Sequence, residues 1–316
     1  MPALLPEKKI LVVGPGALGT YFAARLGHAF PRLWVLDHRE GRAQQLSEAG
    51  FHVRGVDSYD WFAPERHVAA RPDGWPAMDF IFFLVKAPAL AKAAGNCRRL
   101  TGKDTAWVLL QNGWRAEEEL KTEKKRIVLG ITGEAVTLES TGRVFHAAVG
   151  TTLLDAKTKR AAEVSRLLAA AGFKVELTKD FDSARWNKLL LNAVINPIGA
   201  LAGVPNGRLA ENPLKELADG LTLECVRLAR RAGRTTPPAE AQRRLRETIA
   251  QTAANKNSLW QDLLRGRPTE RPYLLGPFLD LARRHKTPAP LLQSLDRLLQ
   301  TVENFQQHEA ARRGEP

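Results

Sequence analysis

Cysteine is nearly absent from this chain of 316 residues: only Cys97 and Cys225 occur, in separate segments. Two distant cysteines make neither a disulfide framework nor a metal-ligand pair, and reduced thiols are the simplest account of them. The seven histidines never form an i,i+4 pair, nor a His, Cys and carboxylate group at ligand spacing, so no metal centre is predicted. Long hydrophobic runs are missing too. The most apolar uncharged stretch of the first half, Phe80–Val85, is far too short to cross a bilayer. Residues 1–9 hold no apolar core followed by a small-residue cleavage site. These absences predict no membrane span, no export signal and a cytoplasmic location.

A concentrated basic segment is also lacking, although the net charge is +13. Residues 1–178 carry 25 basic against 19 acidic residues and residues 179–316 carry 22 against 15, with no basic run longer than Lys124-Lys125-Arg126. Nucleic-acid binders gather their charge on one face or arm. An even spread suits solubility and the steering of polyanionic small molecules such as a phosphorylated dinucleotide, so no nucleic-acid partner is predicted. Length and composition are those of a globular chain with room for two domains, and no internal repeat or low-complexity segment is visible.

The first half alternates short apolar strands with helices. Lys9–Val13 reads as a strand, Gly14-Pro15-Gly16-Ala17-Leu18-Gly19 as a turn, and Thr20 to about His28 as a helix. This order is the dinucleotide fingerprint. Gly14 permits the tight turn, Gly16 lets backbone approach a pyrophosphate, and Gly19 lets helix and strand pack closely. The free N–H groups of the helix N-terminus then face the pyrophosphate, and Ala17 and Leu18 are assigned to the cofactor together with the glycines. Further strands are predicted at Leu33–Leu36, Phe51–Val56, Phe80–Val85, Ala106–Leu110, Arg126–Gly130, Arg143–His146, Gly150–Leu154 and Phe173–Glu176, with helices at Gly41–Ala49 and Lys159–Ala171. His146 sits in an alternating strand pattern, which favours a structural place over a catalytic one. After about Lys179 only amphipathic helices are predicted, roughly 183–196, 214–232, 238–253, 258–264, 270–285 and 289–307. The pattern predicts an α/β chain: a Rossmann-type doubly wound domain over 1–178 and an all-helical domain over 179–316.

One helical stretch departs from the usual apolar core pattern. In Trp186–Pro197, Lys188, Asn192 and Asn196 follow one another at i,i+4 along one line of an otherwise apolar run. An unpaired buried amide or ammonium costs roughly 1–3 kcal/mol or more. The line therefore either lines a wet cavity or forms a solvated face, with Asn196 closing the helix before Pro197. The leucines around it leave little outward arc for the second arrangement.

With these residues laid out, the chain resembles the ketopantoate reductase (2-dehydropantoate 2-reductase) family from Lys9 to about Gln306. Four motifs carry the resemblance: Gly14–Gly19; Val85-Lys86-Ala87; Leu110-Gln111-Asn112-Gly113; and Trp186-x-Lys188 through Asn196-Pro197 to Pro205-Asn206-Gly207. Asn255-x-x-Ser258-x-x-Gln261-Asp262 and Thr269-Glu270 match the C-terminal pattern. The resemblance implies NADPH-dependent reduction of 2-dehydropantoate to pantoate for pantothenate synthesis, at an active site in the cleft between the domains, by a monomer or homodimer. It implies Lys188 and Glu270 as catalytic residues, and Asn192, Asn206 and Ser258 as holding the substrate. It also implies Lys86 approaching cofactor and substrate, and Arg39 meeting the 2′-phosphate of the cofactor.

The chemistry agrees with these residue types. Reducing a 2-keto acid needs a hydride, a proton donor for the developing alkoxide and a pocket that accepts a carboxylate. A partly desolvated Lys188 suits the proton transfer and the stabilisation of negative charge. Asn192, Asn196 and Ser258 are neutral partners for a hydroxyl and a carboxylate. Glu270 either orients Lys188 or caps a helix beside Thr269. Asn112 and Asn206 lie in sequences that also make ready turns, and Lys86 also reads as an exposed loop lysine. Asn112 nevertheless follows a parallel strand, where ligands bind. Asp37 ends the second strand, where a carboxylate favours NAD, whereas Arg39 and Arg42 favour NADP.

The run after Glu270 departs from the family: Pro272 stands in place of an acid and Leu275 in place of an asparagine. Both are predicted at the pocket wall, which makes another branched 2-keto acid an alternative substrate. An opine-type dehydrogenase and a catalytically silent NADP-binding sensor are the remaining alternatives.

Overall fold

The structure is a computed structural model that describes residues 7–114, 116–234 and 236–312; the leading residues weighed above for an export signal lie partly outside these. It forms two compact units, divided between Phe181 and Asp182, and the short segment Asn112–Trp114 goes with the second. A boundary at 178–180 leaves residues 112–114 in the first domain. The difference there has a physical cause: Trp114 packs edge-on against Trp186, with centroids 5.2 Å apart, and the Gly113 carbonyl accepts from Arg185 Nε at 3.2 Å.

In the first unit the chain runs through β1 (Ile10–Val13), α1 (Ala17–Ala29), β2 (Leu33–Leu36), α2 (Glu40–Ala49), β3 (Phe51–Gly55), β4 (Tyr59–Trp61) and β5 (Val68–Ala69). It continues through β6 (Met78–Phe83), α3 (Leu90–Cys97), β7 (Thr101–Leu109), β8 (Ile127–Thr132), β9 (Ala135–Ser140), β10 (Arg143–Ala148), β11 (Thr151–Asp155), α4 (Ala161–Ala170) and β12 (Lys174–Thr178). Eight strands form one sheet in the order β12-β11-β8-β7-β6-β1-β2-β5, parallel except for the β8–β11 pair. From β1 the chain winds outward to β2 and then returns on the other side through β6, as a doubly wound sheet does. Phe80–Phe83 of β6 are fully buried between β1 and β7, which explains their unbroken apolar run. Leu84 and Val85 lie past the end of this strand rather than within it.

A second sheet, β4-β3-β10-β9, accounts for strands whose pairing the sequence leaves open. Helix α1 packs against strands of both sheets. It is therefore buried on most of its surface, from Gly19 to Ala24 and at Leu26 and Gly27. Its first turn starts inside the glycine motif, at Ala17 rather than Thr20. A fully buried His146 on β10 joins the sheet to its surroundings. Its Nε2 lies 2.8 Å from Glu134 Oε2 and its Nδ1 3.2 Å from Asp57 Oδ2, while Tyr21 of α1 stacks on the ring at 4.4 Å. Arg25, also on α1, reaches Asp57 at 2.8 Å and the Ala171 carbonyl at 2.9 Å.

The second unit is helical: α5 (Phe181–Ala202), α6 (Leu214–Arg231), α7 (Pro238–Gln251), α8 (Ser258–Leu264), α9 (Arg271–Leu274), α10 (Gly276–Arg284) and α11 (Pro290–Arg312). Two predicted helices differ. Helix α5 does not stop at Asn196 but carries Pro197 inside it. The proline removes one backbone bond, yet Ile198 and Ala200 remain buried in the core and keep the last turns folded. The single helix predicted over 270–285 is broken at Leu275-Gly276-Pro277, where Pro277 stands in the first turn of α10. Cys97 and Cys225 are free, fully buried thiols. No helix is long and apolar enough to cross a membrane among the described residues.

The buried network gives a stability prediction. His146→Phe keeps a ring against Tyr21 but leaves Glu134, whose side chain is fully buried, without its imidazole partner. The Gly150 N–H still reaches Glu134 Oε2 at 3.1 Å, so denaturant unfolding is expected to show a loss of about 1–3 kcal/mol, the order of one lost hydrogen bond to a buried carboxyl group. An unchanged midpoint and slope would contradict this account of the network.

Candidate active site

The glycine motif follows β1 at the point where the strand order reverses, the usual place for a ligand crevice in such sheets. Gly14 has φ +86°, and a Cβ there would lie 2.4 Å from Val85 Cγ1. A Cβ at Gly19 would lie 2.1 Å from the Gly14 carbonyl oxygen. Gly16 differs: a Cβ there would meet nothing within 4 Å, so this side of the loop is open. Gly16, Ala17 and Leu18 are partly exposed at the start of α1, whose cap residue supplies no side-chain hydrogen bond. Open space beside helix-start N–H groups suits a pyrophosphate.

Asp37, at the end of β2, is turned inward. It is 2% exposed, accepts from the Arg39 N–H at 3.1 Å, and has Arg42 Nε 3.2 Å from its second oxygen. Arg42 also donates to the Pro15 carbonyl, tying α2 to the glycine loop. Arg39 itself is exposed. The carboxylate is thus held in place while the neighbouring guanidinium faces solvent. Lys86 is exposed just beyond β6, at the start of a 3-10 turn over Ala87–Ala89.

In the helical unit, α5 carries Lys188, Asn192 and Asn196 along one line. Lys188 and Asn192 are partly buried and Asn196 is 8% exposed, while Leu189, Leu190, Ala193, Val194 and Ile195 are buried. The line is therefore not a solvated face. Desolvation lowers the Lys188 pKa to about 8, against the opposing pull of the Glu270 carboxylate. Glu270 immediately precedes α9 and makes no side-chain capping bond to it; Thr269 Oγ1 accepts from the Arg271 N–H at 3.1 Å instead. The Glu270 side chain is therefore not the cap of α9, and its charge opposes the lowering of the Lys188 pKa.

The remaining candidates are spread over three segments. Asn206 is buried in the 3-10 turn over Asn206–Ala210, donating from its backbone to the Asn255 carbonyl and from Nδ2 to Thr252 Oγ1, both at 3.0 Å. Its turn is thereby joined to the loop leading to Ser258, the exposed first residue of α8. Asn112 is partly buried beside Gly113, whose φ is +92° and where a Cβ would lie 2.8 Å from Tyr273 Cβ. One expectation fails. Leu275 is fully buried in the helical core and Pro272 is exposed on α9, so Leu275 belongs to the packing of α9 and α10 and is no pocket wall.

The ketopantoate reductase family, PanE/ApbA, matches residues 10–158, and its C-terminal domain matches residues 180–303. The chain belongs to the ketopantoate reductase family. It is an oxidoreductase of that family. The 2-dehydropantoate 2-reductase of Halobacterium salinarum is 30% identical over 303 residues, covering 93% of this chain and 99% of that protein. A ketopantoate reductase of the same family from Ralstonia eutropha JMP134 has a TM-score of 0.81 at 27% identity, covering 95% of this chain and 100% of that one. D-mandelate dehydrogenase, solved with NADH and anilino(oxo)acetate, shares the fold, with a TM-score of 0.84 at 21% identity over 94% of this chain and 99% of that one.

Three residues of this ketopantoate reductase-family chain hold the candidate groups in place and carry no role in the sequence reading. Gln111 is buried and donates from Nε2 to the carbonyls of Phe83 at 2.6 Å and Val85 at 3.3 Å, bracing the end of β6 just before Lys86. Asn257 caps α8 by accepting from the Trp260 N–H at 3.0 Å. Asparagine before a helical run is a recognisable cap signal in the sequence. Arg185 holds the Gly113 carbonyl, and nothing in its local sequence announces that.

The glycine geometry predicts opposite outcomes at two positions. Gly19→Ala is expected to lower stability by about 1–3 kcal/mol through overpacking against Gly14. Gly16→Ala has room for its methyl and is expected to leave the thermal midpoint unchanged while weakening dinucleotide binding about tenfold, ~1.4 kcal/mol. Calorimetry and NADPH-fluorescence titration of both variants check this; equal destabilisation by the two would contradict it.

Proposed function

We propose that this chain reduces 2-dehydropantoate to pantoate with NADPH. The observation that supports this best is Lys188: a partly buried lysine on α5 with a pKa of about 8, one helical turn before Asn192 and under the charge of Glu270. When bound, the nicotinamide supplies the hydride. Lys188 donates its Nζ proton to the oxygen of the keto group as that oxygen gains charge, and is reprotonated from solvent. Glu270 keeps the ammonium charged and oriented. Asn112, Asn192, Asn196, Asn206 and Ser258 hold the carboxylate and hydroxyl groups of the keto acid.

Gly14, Gly16, Ala17, Leu18 and Gly19 form the pyrophosphate cradle, with Lys86, Asn112 and Glu270 also at the cofactor. Arg39 takes the 2′-phosphate. The inward Asp37 and outward Arg39 support NADPH over NADH: the group that would repel a 2′-phosphate is already paired, and the group that would bind it is exposed.

The assay follows NADPH absorbance with 2-dehydropantoate, other branched 2-keto acids, and a keto acid with an added amino acid. Turnover that requires the amine assigns an opine-type reaction, and absence of turnover with every keto acid assigns a sensor. Lys188→Ala is expected to lower kcat by about 10²–10⁴, with NADPH affinity retained. Because the donor must be protonated, kcat for reduction is expected to be flat at lower pH and to fall as pH rises through about 8. A kcat near that of the parent in the alanine variant would remove Lys188 from the mechanism.

Arg39→Ala is expected to weaken NADPH by about tenfold or more, and NADH far less, since only the former offers a phosphate for a charge-assisted bond worth about 1.5–3 kcal/mol. Dissociation constants for both cofactors measure it; equal losses would reverse the assignment.

A further inference from the structure

The segment that carries Glu270 is fastened to the last helix through a partly buried arginine. Arg271 donates from Nε to Glu303 Oε2 at 3.3 Å and from Nη1 to Asp296 Oδ1, both acceptors on α11. The other Glu303 oxygen accepts from the Thr269 backbone N–H at 2.7 Å. Glu303 therefore grips the chain on both sides of Glu270. The side chains of Arg271, Glu303 and Asp296 are only 14%, 12% and 19% exposed, so these bonds are formed largely out of water, where charge-assisted contacts are strongest. Pro272, in the first turn of α9, further restricts the backbone that follows.

We propose that Arg271, clamped by Asp296 and Glu303, is a positioning residue that fixes the Thr269–Arg271 turn and so sets where the Glu270 carboxylate stands relative to Lys188. Thr269 and Arg271, the two neighbours of Glu270, bond each other and α11. A guanidinium is suited to this duty because its planar fork can hold two carboxylates in fixed directions, which an ammonium cannot. The inference rests on the proposed roles of Lys188 and Glu270.

The test is the kcat–pH profile for reduction in Arg271→Met, Arg271→Lys and Glu303→Gln beside the parent enzyme. Glu270 raises the Lys188 pKa, so a loosened carboxylate lets that pKa fall. The high-pH limb is expected to move to lower pH in Arg271→Met by about half a unit or more, with NADPH affinity unchanged. Arg271→Lys is expected to restore part of the shift. Should the methionine variant fail to fold, Glu303→Gln, which keeps a hydrogen-bonding side chain, is expected to show a smaller shift in the same direction. A high-pH limb that stays in place while only kcat or thermal midpoint drops means the clamp is merely structural, and overturns the proposal. Lys188→Ala separates the two levels: if it retains activity, the reading of Lys188 itself has failed, whereas loss of activity with an unmoved limb in the Arg271 variants sinks the positioning role alone.

Discussion

Gly19 carries no side chain because the carbonyl oxygen of Gly14 occupies the space where one would begin. That close approach lets the first turn of α1 lie directly against the end of β1. The helix then runs on between two sheets, and its Tyr21 and Arg25 side chains reach the His146 and Asp57 groups. A wider separation would pull α1 away from both layers and open the turn whose N–H groups are suited to phosphates. Packing and binding here use the same few atoms. The second sheet is consequently more than an appendage: it covers the face of α1 that would otherwise meet solvent.

Much of this was legible from residue pattern alone. Phe80–Phe83 reads as a central strand because burial on both faces forbids polar residues, and the glycine spacing reads as a nucleotide turn because each glycine answers a steric demand. The line of Lys188, Asn192 and Asn196 was visible because α5 is long enough to keep its phase. The second sheet was not visible. β4 has three residues, too short to show a period, and β3 pairs with β10 through His52 and Arg143, far apart in the chain. Helix α1 hid its start because a helix buried on nearly all sides has no polar stripe to mark its phase.

Around the candidate site the limits were of another kind. The charge relation between Lys188 and Glu270 joins helix α5 to the turn before α9, so no spacing rule reports it; only resemblance to the family pointed there. The same resemblance misled at Leu275, where an amide in relatives suggested a pocket wall and this chain has a core residue. Arg271 looks in sequence like any surface arginine. Its importance depends on Asp296 and Glu303, which one turn-and-turn-again periodicity of α11 brings to a common face but which nothing local connects to it.

The two cysteines give the molecule a pair of internal reporters. Cys97 lies at the end of α3 in the first unit and Cys225 within α6 of the second, each fully buried and unpaired. Burial alone pushes the Cys97 thiol up to about 12, and burial with the neighbouring Glu224 charge pushes Cys225 up as well. Neither offers a thiolate to an alkylating reagent while its own unit is folded. Modification of one thiol before the other therefore timestamps which unit opens first, with no label added and no residue changed.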